Sequence, residues 1–452
     1  MIKNVIDYFN KLKTNEVIRN IVIVAGLSLF IKVVAFGKES LVASYFGLSL
    51  LLDTYFIAIL IPSFIQNVFI GALKNLFIPN YITELRTTNQ KGSFQTIIFL
   101  AITALVVGLG LFCIVFVEFF LEMVFPNHDG EYYNLVRLQF YCVLPTLFFW
   151  GYSGFLSGLL EIQKKYFVAT LSDIILPITT IVIILLYKNT FPETVLAIGL
   201  SVGSFLGFLY LFYAAMYNKV LELGKPIINS NIRIMFRQYL PKTTSGLLTG
   251  INPFVDQFFA AQLVVGSIAA MNYGIKIPSF FLSILILAIG NVLLPYFSEL
   301  ITENIKKAFL QLFKTLKVVL IGSIMITIIV ILFSDDIIRI LFERNEFSTN
   351  DTYVVSNIQK LVLISLPFNL ATLICVKFLT AFNKNAFMAW VSFFNLFLNL
   401  ILNFILVNAL KVYGLVLATT IVYFITFFIY IVYTYSLFKR TNDNTNNYNL
   451  MD

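Results

Sequence analysis

Runs of twenty or more apolar residues recur from one end of the chain to the other, and they decide its fold class. A helix needs about 20 such residues to cross roughly 30 Å of hydrocarbon. Barrel strands would leave short segments of alternating polarity instead, and the sequence does not carry that pattern. Only 12% of the 452 residues are charged and 59% are hydrophobic, about half the charge that covers an ordinary soluble domain. The chain is therefore read as an all-α polytopic membrane protein.

Twelve spans are predicted, over 17–45, 50–84, 93–121, 133–160, 165–187, 192–216, 236–262, 266–300, 307–333, 352–382, 386–408 and 413–438. The loops between them are short and leave no room for a separate soluble domain. The expected organisation is an N-terminal segment 1–16, a six-helix bundle 17–216, a linker 217–235, a second six-helix bundle 236–438 and a disordered polar tail 439–452. No cleavable signal peptide is evident, because Lys3, Lys11, Lys13 and Arg19 precede a long helix without a short apolar region and cleavage site.

The net charge of +8 follows membrane topology and does not suggest nucleic acid. With the N-terminus in the cytoplasm, the cytoplasmic segments hold 20 of the 31 Lys and Arg residues. The outer loops hold four: Lys188, Arg339, Arg344 and Lys411. By the positive-inside rule this puts both termini in the cytoplasm. The loop at 334–351 carries Asp335, Asp336, Glu343, Glu346 and Asp351, which suits an outer loop.

The halves of the chain echo each other. Ile61-Pro62-Ser63-Phe64 recurs as Ile277-Pro278-Ser279-Phe280. Pro79 and Glu84 match Pro295 and Glu299 with one gap, and GLLEIQKKYF (158–167) matches FLTAFNKNAF (378–387). Three matches in one order point to two parallel repeats, which place a substrate cavity near the midplane.

An ionisable group near the bilayer centre costs roughly 2.5–3.5 kcal/mol on insertion scales, so it faces a cavity or a partner. Lys32, Lys38, Glu39, Asp53, Lys74, Asp173, Asp256, Lys276 and Lys360 are such groups. Lys32 and Glu39 share a helix face at seven residues' spacing and could pair. If the spans bearing Lys32, Lys38, Lys74 and Lys276 line one cavity, it is cationic and suits a phosphate or diphosphate. Asp256 could join Asn399, Asn403 and Thr419 to hold a coupling Na⁺ or H⁺ with oxygen ligands; each of these groups alone is more often a helix-packing residue.

No other cofactor or metal site is expected. Cys113, Cys142 and Cys375 lie in apolar segments at spacings that match no ligand pattern. His128 sits alone in the loop PNHDG, a poor place for a general base. The chain lacks a phosphate-gripping Gly-rich loop, a zinc-type His/Glu motif and a nucleophile elbow. A transporter, and not an enzyme, is the expectation.

AFGKESLVASYFG…LDTYFIAILIPSFIQNVF…FIPNYITEL (35–85) resembles the first two helices of the MurJ/MviN lipid II flippases. MNYGIKIPSF (271–280), GNVLLPYFSEL (290–300), LFERNEFSTNDT (341–352) and YGLVLATT (413–420) follow in family order. The resemblance covers 17–438 and extends to the multidrug/oligosaccharidyl-lipid/polysaccharide exporter superfamily. It implies a V-shaped pair of six-helix bundles with alternating access in the cytoplasmic (inner) membrane. The implied cargo is a polyprenyl-diphosphate-linked saccharide, either a lipid II-type peptidoglycan precursor or an O-antigen or capsule repeat unit, carried from the inner to the outer leaflet by a monomer.

The departures from the family pattern bear on the site. Lys32, Lys38 and Lys276 stand where lipid II-type members carry cavity arginines, which keeps the charge and loses the bidentate fork. Gln66-Asn67 replaces an arginine pair, the acidic residue after it is missing at FIGAL (69–73), and Asp53 is kept. Members usually have fourteen helices, against twelve here. A sodium site proposed in some relatives maps onto Asp256, Asn399, Asn403 and Thr419, with an amide at 403 in place of an acid. Two other readings remain: a cation-coupled multidrug exporter, whose cavity should be acidic or neutral, and a non-transporting envelope-assembly scaffold, whose embedded charges should tolerate neutral replacement.

Overall fold

The computed structural model describes residues 16–126 and 128–448. Most of the expected N-terminal segment and the last four residues of the expected tail lie outside them. The described residues form helices and no strand. In chain order these are α1 Glu16–Phe46, α2 Leu50–Ile65, α3 Gly71–Thr87, α4 Lys91–Val124, α5 Gly130–Val143, α6 Thr146–Ile162, α7 Tyr166–Leu171, α8 Ile175–Tyr187 and α9 Val195–Tyr217. There follow α10 Ser230–Gly250, α11 Asn252–Ala261, α12 Ser267–Glu303, α13 Ile305–Leu332, α14 Ser334–Phe342, α15 Thr349–Ala381, α16 Asn385–Leu410 and α17 Val412–Tyr448.

Ten candidate spans among the described residues are long and apolar enough to cross a membrane. The expected first and seventh spans fall in α1 and in α10–α11. Backbone chemistry explains the interruptions. A π-turn, Gln66–Ile70, joins α2 to α3 and is closed by the Gly71 N–H on the Gln66 carbonyl. The expected fourth span divides into α5 and α6 at Leu144–Pro145, where proline supplies no N–H and disfavours helix in the residue before it. The polar residues 441–448, expected to be disordered, instead continue α17 to Tyr448. Once a helix is nucleated, each added residue brings one more hydrogen bond.

By internal contacts the chain divides into two units. The first runs to Val42 and resumes over Leu50–Gly250; the second comprises Ala43–Ser49 and everything from Ile251 onward. The exchange of 43–49 has a local cause. The Asn345 amide donates to Ser44 Oγ at 2.7 Å, and the Glu346 N–H donates to the Ser44 carbonyl at 3.1 Å. Gly47 and Gly266 both have positive φ, and a Cβ on Gly266 would lie 2.6 Å from the Leu48 carbonyl. A Cβ on Gly47 would meet the Glu346 carbonyl. Only glycine satisfies both the backbone angle and the close approach.

The motif that contains Asn345 is itself over-determined. Ser348 and Asp351 form a reciprocal cap at the start of α15. Glu343 accepts from Thr349 at 3.0 Å and from Thr352 at 2.6 Å. Phe342, Phe347 and Tyr273 are buried against one another. Deeper in this unit, Phe378 lies fully buried between Phe297 and Phe309, at ring distances of 5.3 and 4.9 Å.

In the first unit the segment after α9 is strapped across the start of α4. Gln95 donates to the Val220 carbonyl at 3.0 Å and accepts from the Glu222 N–H at 2.8 Å. The Ser93 hydroxyl accepts from the Ile227 N–H, and Gly92 lies against Gly224. Glu84, fully buried at the end of α3, accepts from Asn229, Asn231 and Thr88. The expected linker is therefore held in place by hydrogen bonds to side chains of α3 and α4.

Gly47→Val combines a left-handed backbone penalty of roughly 1–2 kcal/mol with the clash on Glu346. It is expected to lower the melting temperature in detergent more than Gly108→Val, where a Cβ meets nothing within 4 Å. Lys360 donates to both oxygens of Asp335 at 2.8 and 2.9 Å, which holds that carboxyl below its usual 3.8. A depressed value stabilises the fold above 3.8, and this is lost as the pH falls through the folded value. The pair is half exposed, so Asp335→Asn should cost only about 0.2–1 kcal/mol at neutral pH. Thermal melts across pH should show that difference closing as the medium becomes acid.

Candidate functional site

In the first unit, α1 brings Lys32, Lys38 and Glu39 into an apolar helix. Glu39 takes its neighbour Lys38, at 2.6 Å, and not Lys32. Heptad spacing made Lys32 a plausible partner, but the four-carbon stem of Lys38 brings its ammonium onto the adjacent carboxylate. No carboxylate lies within 4 Å of Lys32 among the described residues. The two lysines therefore differ: one is neutralised on its own helix and the other is not.

Asp53 is 4% exposed in the first turn of α2, where the helix dipole favours a carboxylate. Lys74, on α3, reaches α6. Its ammonium donates to Ser157 Oγ at 3.1 Å and lies 3.6 Å from Glu161 Oε1. Ser157 donates in turn to Glu161 at 3.0 Å. Ser157 and Glu161 were not anticipated as site residues; the signal was the place of Glu161 within the repeated GLLEIQKKYF, with Ser157 directly before it. Lys360 belongs with Asp335 at a helix end and leaves the set of embedded charges.

In the second unit, Lys276 lies half-buried on α12, directly before the repeated Ile277-Pro278-Ser279-Phe280. The four oxygen-bearing residues meet across three helices. Asn403, on α16, donates to Asp256 Oδ1, on α11, at 2.8 Å and to Asn399 Oδ1 at 3.2 Å. Thr419, on α17, donates to Asp256 Oδ2 at 3.4 Å and accepts from Asn399 at 3.3 Å. Asn399 and Asn403 are one turn apart, so they present to one face, and both are buried.

This network suits a small monovalent cation in one respect. Asn403 Oδ1 is buried without a hydrogen-bond partner, an unmet acceptor beside a lone carboxylate. Rotating the Asn403 amide and the Thr419 hydroxyl would turn two donors into oxygen ligands without moving a helix. Asp256, Asn399, Asn403 and Thr419 would then hold the ion, and one carboxylate balances one positive charge. Among the described residues no three His, Cys, Asp or Glu side chains cluster as metal ligands. The cysteines are free, and His128 stacks on Tyr132 at 3.8 Å.

Comparison with known proteins places the chain as a whole. The "Probable lipid II flippase MurJ" of Rickettsia prowazekii is 24% identical over 417 residues, covering 89% of this chain and 81% of its own. The protein of the same description from Helicobacter pylori strain 26695 is 26% identical, covering 84% and 87%. A solved structure of lipid II flippase MurJ in an inward closed conformation superposes with a TM-score of 0.79 at 22% identity, covering 92% of this chain and 87% of that one. An inward-facing multidrug resistance MATE transporter shares the fold at TM-score 0.73 and 12% identity, covering 94% and 99%. The profile of the family described as "Lipid II flippase MurJ" matches residues 42–450, and the chain belongs to that family.

Proposed function

We propose that this protein flips a polyprenyl-diphosphate-linked saccharide from the inner to the outer leaflet of the cytoplasmic membrane by alternating access. Lipid II is the leading cargo, with an O-antigen or capsule repeat unit as the other candidate. The family match over 42–450 carries this reading. It is supported by lysines embedded in apolar helices, which need an anion or a carboxylate to offset their cost. The role calls for transport and no covalent chemistry, so the protein is not an enzyme on this reading. Both termini lie in the cytoplasm, as the uneven distribution of Lys and Arg favours, and the working unit is a monomer.

Lys32, Lys38, Asp53, Lys74 and Lys276 are the proposed head-group residues. Lysine binds a diphosphate as a point charge, so what each contributes depends on what else holds it. Lys38 must leave Glu39, and Lys74 must leave Ser157 and Glu161, before either can engage the cargo. Lys32 has no such competitor within 4 Å among the described residues. Moving one charge through 100 mV is worth about 2.3 kcal/mol, enough for the membrane potential to bias the cycle.

The test is translocation of a lipid-linked saccharide by purified protein in vesicles. Lys276→Ala and Lys32→Ala are each expected to abolish transport while the protein still inserts and purifies normally, and Lys74→Ala to reduce it less. Full activity in Lys276→Ala rejects the head-group assignment. For the coupling ion, Na⁺ is expected to raise the melting temperature over choline, the added stability being about 2.7 kcal/mol at a hundredfold excess over the dissociation constant. Asp256→Asn should remove that rise. A rise that survives in Asp256→Asn places the ion elsewhere.

A further inference from the structure

We infer that the cleft between α3 and α10 is a binding site for the head group of an anionic bilayer phospholipid. The cleft lies within the first unit, is shallow and open on one side, and measures about 660 Å³. Leu76 of α3 and Ile234, Arg237, Gln238, Pro241 and Lys242 of α10 line it.

The cleft is held in shape before any ligand arrives. Asn80, on α3, donates to the lining residue Gln238 at 3.1 Å. Asn229 caps the start of α10 by accepting from the Ile232 N–H at 3.0 Å, while its amide is held by buried Glu84. Ile232 and Met235, on the side of the helix next to the cleft lining, are fully buried. The exposed side of α10 is therefore fixed relative to α3.

Its charge is one-sided. Lys225, Arg233, Arg237 and Lys242 occur with no acidic residue between Glu222 and Asp256. No carboxylate lies within 4 Å of Arg233, Arg237 or Lys242 among the described residues. Beside these cations Ile234 is 47% exposed, and Leu76 and Pro241 complete the apolar part of the lining. A free phosphate would need the cations and not the apolar rim. Phosphate oxygens with acyl chains attached match both, as at the boundary between head groups and hydrocarbon. Arg237 presents its planar fork to the phosphodiester, and Lys242 adds a point charge.

The test uses the full chain in neutral detergent, with phosphatidylglycerol or phosphatidylcholine titrated and bound lipid counted by native mass spectrometry. Each cation near an anionic surface contributes about 1 kcal/mol, roughly fivefold. Arg237→Gln/Lys242→Gln should bind phosphatidylglycerol about thirtyfold more weakly than the parent, with phosphatidylcholine unchanged. Arg237→Lys/Lys242→Arg should retain affinity, which separates lost charge from misfolding. Lys306→Gln/Lys307→Gln should bind as the parent does. Unchanged affinity in the first variant, or an equal loss in the Lys306/Lys307 variant, overturns the site. Complete displacement of phosphatidylglycerol by an equimolar polyprenyl diphosphate would overturn the phospholipid assignment and give the cleft to the cargo. None of these readouts depends on transport, so the proposal can fail while the flippase reading stands.

Discussion

The cost of an unpaired polar group in hydrocarbon governs this protein at every scale. It forces the backbone into helices, because each N–H and C=O must be paired locally. It then acts on side chains. Glu84 is fully buried and is surrounded by Asn229, Asn231 and Thr88. Lys38 takes Glu39, and Lys74 takes Ser157 and Glu161. Function is sought among the groups that this pairing leaves over. Lys32 has no carboxylate within reach among the described residues, and the Asn403 carbonyl oxygen is buried without a partner.

The same constraint sorts roles within the site. A lysine already held by a carboxylate can bind an anion only by exchange, so its contribution is the difference between two favourable contacts. An uncompensated lysine gains the full interaction. The Asp256 network differs again, since its donors already satisfy the carboxylate and a cation must displace hydrogen bonds to Asn403 and Thr419. As it stands the network bridges α11, α16 and α17.

Much of the fold was legible in the sequence, because an apolar run of span length has few alternatives. The Asp256 cluster was legible for a related reason. Asn399 and Asn403 are spaced one helical turn apart in an otherwise apolar helix, and buried amides need partners. Other features left no such trace. The pairing of Glu39 with Lys38 turned on the reach of a flexible stem, which spacing along a helix does not encode. The contact of Asn345 with Ser44 spans 301 residues and uses one amide and one hydroxyl, so periodicity could not reveal it. The strap at 220–229 is held largely through backbone groups that are the same in every residue. The continuation of α17 to Tyr448 ran against composition, which reports the cost of burial and says little about helix propagation at a span's end.

The proposed head-group cations are all lysines, which makes cargo the central question, because point charges grip a diphosphate without fixing its plane. The most direct measurement is growth of bacteria depleted of their own lipid II flippase and supplied with this chain. The account predicts that the intact chain restores growth and cell shape. Failure to restore either, with the protein correctly inserted at normal levels, would contradict lipid II as the cargo.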